Sequence, residues 1–245
     1  MDTIEQFVNW LDRQIPAGSW HDKIYSYCER GGDASFWAEP VNALSNGAFF
    51  IAAFVALVLW IRSPGTNRRF VDLLLIVLVF VIGAGSFLFH TSATRWASIA
   101  DVLPIVIFIL VFLGYTLRRF MGLPWIITLA GVGLFYGLMW YVGEMRCDGV
   151  RCLNGSAGYL PALGVLLLTG LALLVMRHRA GASLTLAGLI LAASVTFRTY
   201  DKAWCHKLMS IDGGPLGTHF LWHGLNALLL FLLLRAAIKH GGAGR

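Results

Sequence analysis

Three histidines lie where an apolar chain has least use for them. His90 closes the string Gly85-Ser-Phe-Leu-Phe-His90, and two more stand in Gly217-Thr-His-Phe-Leu-Trp-His223. The i, i+4 spacing of His219 and His223 puts both rings on one helix face. With His90 from a distant run they form a three-nitrogen set that suits zinc and leaves a fourth tetrahedral position open for water. Zinc held this way acidifies its water and polarises a carbonyl oxygen. Asp101 follows His90 by eleven residues and is the acid available to orient or deprotonate that water as general base. Ser86 precedes His90 by one helical turn, so its hydroxyl shares that face and could donate to a developing oxyanion. Taken singly, each histidine reads more readily as an interfacial residue facing headgroups. Three of them beside an acid favour a metal.

The elements that must position these residues are membrane helices. The 245 residues are 58% hydrophobic and 13% charged, far too apolar for an ordinary soluble domain. Apolar runs at about 43–61, 70–90, 99–117, 123–142, 158–176, 183–200 and 217–238 each approach the ~20 residues that a bilayer core requires. The fold class is therefore all-α, a polytopic bundle of seven transmembrane helices. Residues 1–42 form an N-terminal surface segment, 43–238 the membrane domain and 239–245 a short C-terminal tail. No cleavable signal peptide is visible. With seven spans, His90 falls at one end of the second, Asp101 at the start of the third, and His219 with His223 in the first turns of the seventh. All share one layer, whichever way the chain is inserted. Ionisable groups at such depth are costly and mark function.

The net charge of +6 does not indicate nucleic-acid binding, because its distribution follows the loops. Arg62, Arg68, Arg69, Arg118, Arg119, Arg177, Arg179, Arg235, Lys239 and Arg245 occupy tight, almost acid-free segments on one side. Basic residues on the other side are interleaved with Asp12, Asp22, Glu29, Asp33, Glu144, Asp148 and Asp201. The positive-inside rule then sets the N-terminus and the histidine layer outside and the C-terminus in the cytoplasm. The short termini, free of retention signals, lean toward a bacterial inner membrane with a periplasm-facing site. Cys28, Cys147, Cys152 and Cys205 all fall on the outer side, where disulfides persist, and three connectivities are open. Cys147 and Cys152 share a loop. If they pair, Cys28 with Cys205 would tie the N-terminal segment to the sixth connection.

Punctuation fits the spans. Pro124 opens the fourth and Pro161 lies in the first turn of the fifth, where a missing N–H costs little. Pro104 lies just inside the third, and Ser63-Pro-Gly-Thr-Asn67 turns between the first two. Gly83, Gly85, Gly133 and Gly137 permit close helix contact, and Thr218 or Asp212 could cap the seventh span. His178 and His240 sit among arginines and read as solvated. His21 and His206 are outer-loop residues. The clusters around Asp201 and Glu144 read as fixing loops.

These strings resemble the alkaline ceramidases, part of a wider superfamily of seven-helix membrane hydrolases that includes the adiponectin and progestin receptors. The likeness rests on Gly85-Ser-Phe-Leu-Phe-His90, Asp101-Val-Leu-Pro104 and His219-Phe-Leu-Trp-His223, and runs from about residue 25 to 235. Tyr27-Cys-Glu-Arg-Gly31 and Phe36-Trp-Ala-Glu-Pro-Val-Asn-Ala-Leu-Ser-Asn46 point to the ceramidase branch. The resemblance implies zinc at His90, His219 and His223, a water near Asp101, a carbonyl-facing Ser86, and hydrolysis of the ceramide amide to a sphingoid base and a fatty acid. It implies a Cys28–Cys205 pairing. It also implies a calcium site beside the first span, with acids at Glu29 and Glu39 and carbonyls from Tyr27 and Gly31. The chain departs from the eukaryotic pattern there. Ser26 replaces an Asp, Gly31 replaces an Asn, and the stretch between the acids is one residue shorter. Asp33 could compensate, or the two acids could instead hold the N-terminal segment through hydrogen bonds or Arg30. Val102 stands where the family commonly has a second acid. Two other readings fit the same motifs: hydrolysis of another N-acyl lipid or ester, and a receptor-like protein in which zinc is structural with Asp101 as fourth ligand.

Overall fold

The structure, a computed structural model, describes residues 20–205, 207–209 and 213–241. Residues 1–19, 206, 210–212 and 242–245 lie outside that set, and with them the readings on His206 and Asp212. Seven helices are long and apolar enough to cross a membrane: α1 (Pro40–Arg62), α2 (Phe70–Ser92), α3 (Arg95–Phe120), α4 (Trp125–Gly143), α5 (Ala157–Val175), α6 (Gly181–Tyr200) and α7 (His219–His240). α1 is broken at Asn46, and α3 ends in a π-turn over Thr116–Phe120. The spans match the apolar runs to within a few residues. A hairpin of β1 (Arg146–Cys147) and β2 (Val150–Arg151) links α4 to α5.

Each helix packs on the next in sequence, and α7 closes the ring against α1 and α2. The ring explains how residues so far apart in sequence meet. α7 and α2 are the most enclosed of the seven, whereas α4 is the least and presents Ile126 and Leu134 outward. The two helices that carry the histidines therefore run through the middle of the bundle.

α2 and α3 approach backbone to backbone. Pro104 has no N–H to give the carbonyl of Ala100, one turn earlier, so that carbonyl lacks its intrahelical partner. Gly85 faces it. A β-carbon there would lie 2.6 Å from the Ala100 carbonyl carbon and 3.2 Å from the Asp101 nitrogen, and nearer still to the carbonyl oxygen. Gly83 has a similar role against Phe49 of α1. Gly133 and Gly137 do not, since nothing stands within 4 Å of their β-positions. Both lie on the peripheral α4, where the glycine pattern was read as packing but faces open space.

The N-terminal segment crosses the end of the bundle where α2 turns into α3. Ile24 N–H donates to Ala93 O at 2.7 Å, and Arg95 N–H donates to Asp22 O at 3.2 Å. Cys28 is bonded to Cys205, and Cys147 to Cys152.

Candidate metal centre

His90 sits two residues before the end of α2, and His219 and His223 occupy the first two turns of α7. All three side chains are buried, and one ring nitrogen from each lies within 4.8 Å of the others. This group could hold a metal ion. The hydrogen-bond pattern indicates how. His90 Nδ1 meets Glu39 Oε2 at 2.6 Å, leaving Nε2 buried with no protein partner. His223 Nδ1 meets Ser45 Oγ at 2.7 Å, leaving Nε2 turned toward Ser86 Oγ at 3.4 Å. His219 keeps Nδ1 unpartnered as well. Buried polar atoms normally find partners, and ligating histidines usually bind through one nitrogen while an outer residue fixes the other. Among the described residues no acid or cysteine joins the three nitrogens within the same distance.

Asp101 and Ser86 are brought to this layer by the Gly85 contact. Both are buried, with the Ser86 hydroxyl beside the Asp101 carboxylate and 3.4 Å from His223 Nε2. The five residues first read from spacing thus form one cluster.

The N-terminal segment supplies the rest, and spacing alone did not assign these roles. Tyr27 stacks on the His219 ring with centroids 3.7 Å apart. Burial pushes its phenol pKa up. Glu29 lies beside the start of α1 and accepts N–H bonds from Val41 and Asn42 at 2.7 and 2.8 Å. Burial still raises its carboxyl above the usual range. Gly31 takes φ +55 and donates its N–H to Cys28 O. Glu39 is 2% exposed and makes three contacts: Arg30, His90 and Asn42. Burial acts to raise it, but the bond and charge at His90, with Arg30 and Asn42, outweigh that and hold its pKa below normal.

Asp201 anchors the start of α7. It accepts from Cys28 N–H through Oδ2 and from Thr218 and His219 N–H through Oδ1, at 2.8 to 3.0 Å. Burial raises its pKa despite these bonds. Thr218 stands at the N-cap position but makes no cap bond; its hydroxyl donates to Phe197 O instead. The residue just past the end of α6 thus caps α7, because Gly217 lets that carboxylate come close. Glu144 likewise fixes a loop, pairing with Arg151 across the hairpin.

Below the histidines an apolar cavity opens inside the ring of helices. Phe49 and Trp222 form its head, beside His223 and His219, and Phe108, Phe112, Leu166 and Leu233 line its length. From Trp222 to Leu233 along α7 is roughly 16 Å at 1.5 Å per residue. Arg198 lies over the rings of Tyr159 and Trp222 at 5.4 and 5.5 Å. The arrangement can present a carbonyl to a metal and an acid while holding one hydrocarbon chain in a dry slot.

A protein-family model described as Ceramidase matches residues 25–238. No curated protein matches the chain.

Proposed function

The chain belongs to the ceramidase family, and from that premise we propose that it is a zinc-dependent intramembrane amidase hydrolysing ceramide to a sphingoid base and a free fatty acid. The observation that carries this reading is the buried trio of histidines, with Asp101 and Ser86, at the head of an apolar cavity. The donor set is all imidazole, which suits zinc, and a three-histidine set leaves a coordination position open. Bound there, zinc supplies Lewis-acid polarisation of a carbonyl and a water acidified toward neutrality.

The chain's own groups do the rest. The cavity takes one hydrocarbon chain of the lipid and so sets the amide beside the histidines. Asp101 accepts a proton from the attacking water as its oxygen bonds to the amide carbon. Ser86 Oγ–H donates to the carbonyl oxygen as it gains charge. Asp101 then gives its proton to the nitrogen as the C–N bond breaks, releasing the amine and the carboxylic acid. Glu39 and Ser45 hold the outer nitrogens of His90 and His223, fixing the ring orientations that turn each Nε2 toward the centre. We place this layer on the outer side. Support comes from two disulfides at that end and from acid-free arginine loops at the other.

The test is metal analysis of the purified protein alongside fatty-acid release from ceramide, with and without a zinc chelator. Release that survives complete metal removal would sink the proposal. A panel of other N-acyl lipids and esters tests the substrate: faster hydrolysis of one of these would move the assignment within the hydrolases.

A further inference from the structure

Among the described residues Arg30 is the one arginine or lysine that is buried, at 2% exposure. Taking a charge out of water is expensive unless its hydrogen bonds are met, and here every one is. Nε donates to Glu39 Oε1 at 2.6 Å. Nη1 donates to the carbonyls of Asp33 and Ser35 at 3.0 and 2.9 Å. Nη2 donates to the carbonyls of His90 and Thr91 at 2.8 and 3.3 Å. A guanidinium has five N–H donors, and all five find oxygen.

Two of those oxygens belong to the last turn of α2, whose final carbonyls have no intrahelical partner. Phe89 O receives the Ala93 N–H, Ser92 O receives Lys23 Nζ, and Arg30 takes the pair between them. A cation is also favoured at that end of the helix dipole. The same guanidinium grips Glu39, whose other oxygen holds His90 Nδ1. Arg30 thus fixes the carboxylate that orients His90 and the stretch of backbone that carries it.

Every oxygen of the neighbouring carboxylates already accepts a hydrogen bond from the chain, those of Asp33 from Ser35 N–H and Oγ–H. Calcium takes six to eight oxygens. Both Glu29 oxygens receive backbone N–H groups, and Glu39 and the Asp33 and Ser35 carbonyls are engaged with the guanidinium. We propose that Arg30 is the positioning residue of the metal centre, a cation built into the chain where calcium would otherwise tie the N-terminal segment to α2, so that the centre works without calcium. This rests on the metal reading of the three histidines.

The test uses the full-length protein in detergent, loaded with cobalt(II), and reads the visible ligand-field spectrum and the cobalt affinity. Neither involves ceramide, so an error about the substrate leaves this test intact. For the parent protein, a calcium-selective chelator or added calcium chloride leaves both unchanged. Arg30→Ala weakens cobalt binding by roughly 10- to 100-fold, as loss of an outer partner does, and shifts the spectrum; Arg30→Lys restores part of each. Should Arg30→Ala fail to fold, Glu39→Gln interrupts the same chain of contacts and gives the same spectral shift. A folded Arg30→Ala with parental spectrum and affinity overturns the inference. So does a parent spectrum that collapses on calcium removal and returns with calcium. A parent that binds no cobalt overturns the metal reading beneath it.

Discussion

Replacing Gly85 by alanine should separate the acid from the metal set without dismantling the set itself. The added β-carbon would sit 2.6 Å from the Ala100 carbonyl carbon. That falls roughly 1 Å short of the ~3.5 Å at which two carbons settle. The obstacle is backbone, which no rotamer change relieves, so α3 must back away from α2 by about that distance. The three histidines ride on α2 and α7 and keep their mutual spacing, whereas Asp101 rides on α3. A misplacement of ~1 Å costs on the order of 100-fold in rate, or about 2.7 kcal/mol of activation free energy. Overpacking of this kind also costs about 1–3 kcal/mol of stability. The variant should therefore bind metal at parental stoichiometry, melt at a lower temperature and release fatty acid about 100 times more slowly. Metal content, thermal unfolding and turnover on one detergent-solubilised sample check all three. Turnover within a factor of three of the parent would refute the argument that this contact positions Asp101. Loss of the metal along with the activity would refute the claim that α2 and α7 hold it independently of α3.

Asp101→Asn should retain bound metal and lower turnover by roughly 10²- to 10⁴-fold, the usual worth of a general base; parental fatty-acid release would reassign that role. Serine at Cys28 and Cys205 should destabilise the protein far more than serine at Cys147 and Cys152, because the sequence separations are 177 and 5. In the chain-entropy account the two bridges contribute about 5 and about 2 kcal/mol, and equal shifts in melting temperature would contradict that ranking. Leu166→Trp, part-way down the cavity, should shift preference toward shorter acyl chains while sparing turnover on them, which competition between chain lengths would read. An unchanged chain-length profile would mean that the acyl chain lies elsewhere.

The membrane helices were legible because a bilayer demands long uninterrupted apolar runs, and few other constraints leave so plain a trace. The histidines were legible for the converse reason: in such a run a polar residue stands out, and its position along the run gives its depth. Span number then put His90, Asp101, His219 and His223 in one layer, and Ser86 followed from helical spacing. The Cys28–Cys205 tie and the grip of Arg30 on Glu39 were among the alternatives read; what escaped was which side chains meet the histidines. Glu39 meets His90 across 51 residues and Ser45 meets His223 across 178, and no local pattern announces either pairing. Glu39 did carry a faint signal, an acid directly before a helix-opening Pro40, but it pointed equally to a cation ligand. Thr218 was the natural cap for α7 by residue type; Asp201 took that place because a tertiary contact could deliver a full carboxylate to the same N–H groups. Gly133 and Gly137 showed the opposite failure, a packing pattern on a helix with no close neighbour there.

The carboxylate of Asp201 also bears on how the protein is made. It binds the amide of Cys28 from the first segment and the amides of Thr218 and His219 at the start of the last helix. During synthesis the membrane receives α2, with one histidine, long before α7 supplies the other two. Contacts so distant in sequence form late, since chain entropy must be lost before they return anything. A chain interrupted anywhere before residue 219 carries at most one of the three histidines and lacks the His219 amide that Asp201 binds. The three-histidine group therefore comes together only once α7 has entered the membrane, and a copy stopped short of that helix cannot assemble it.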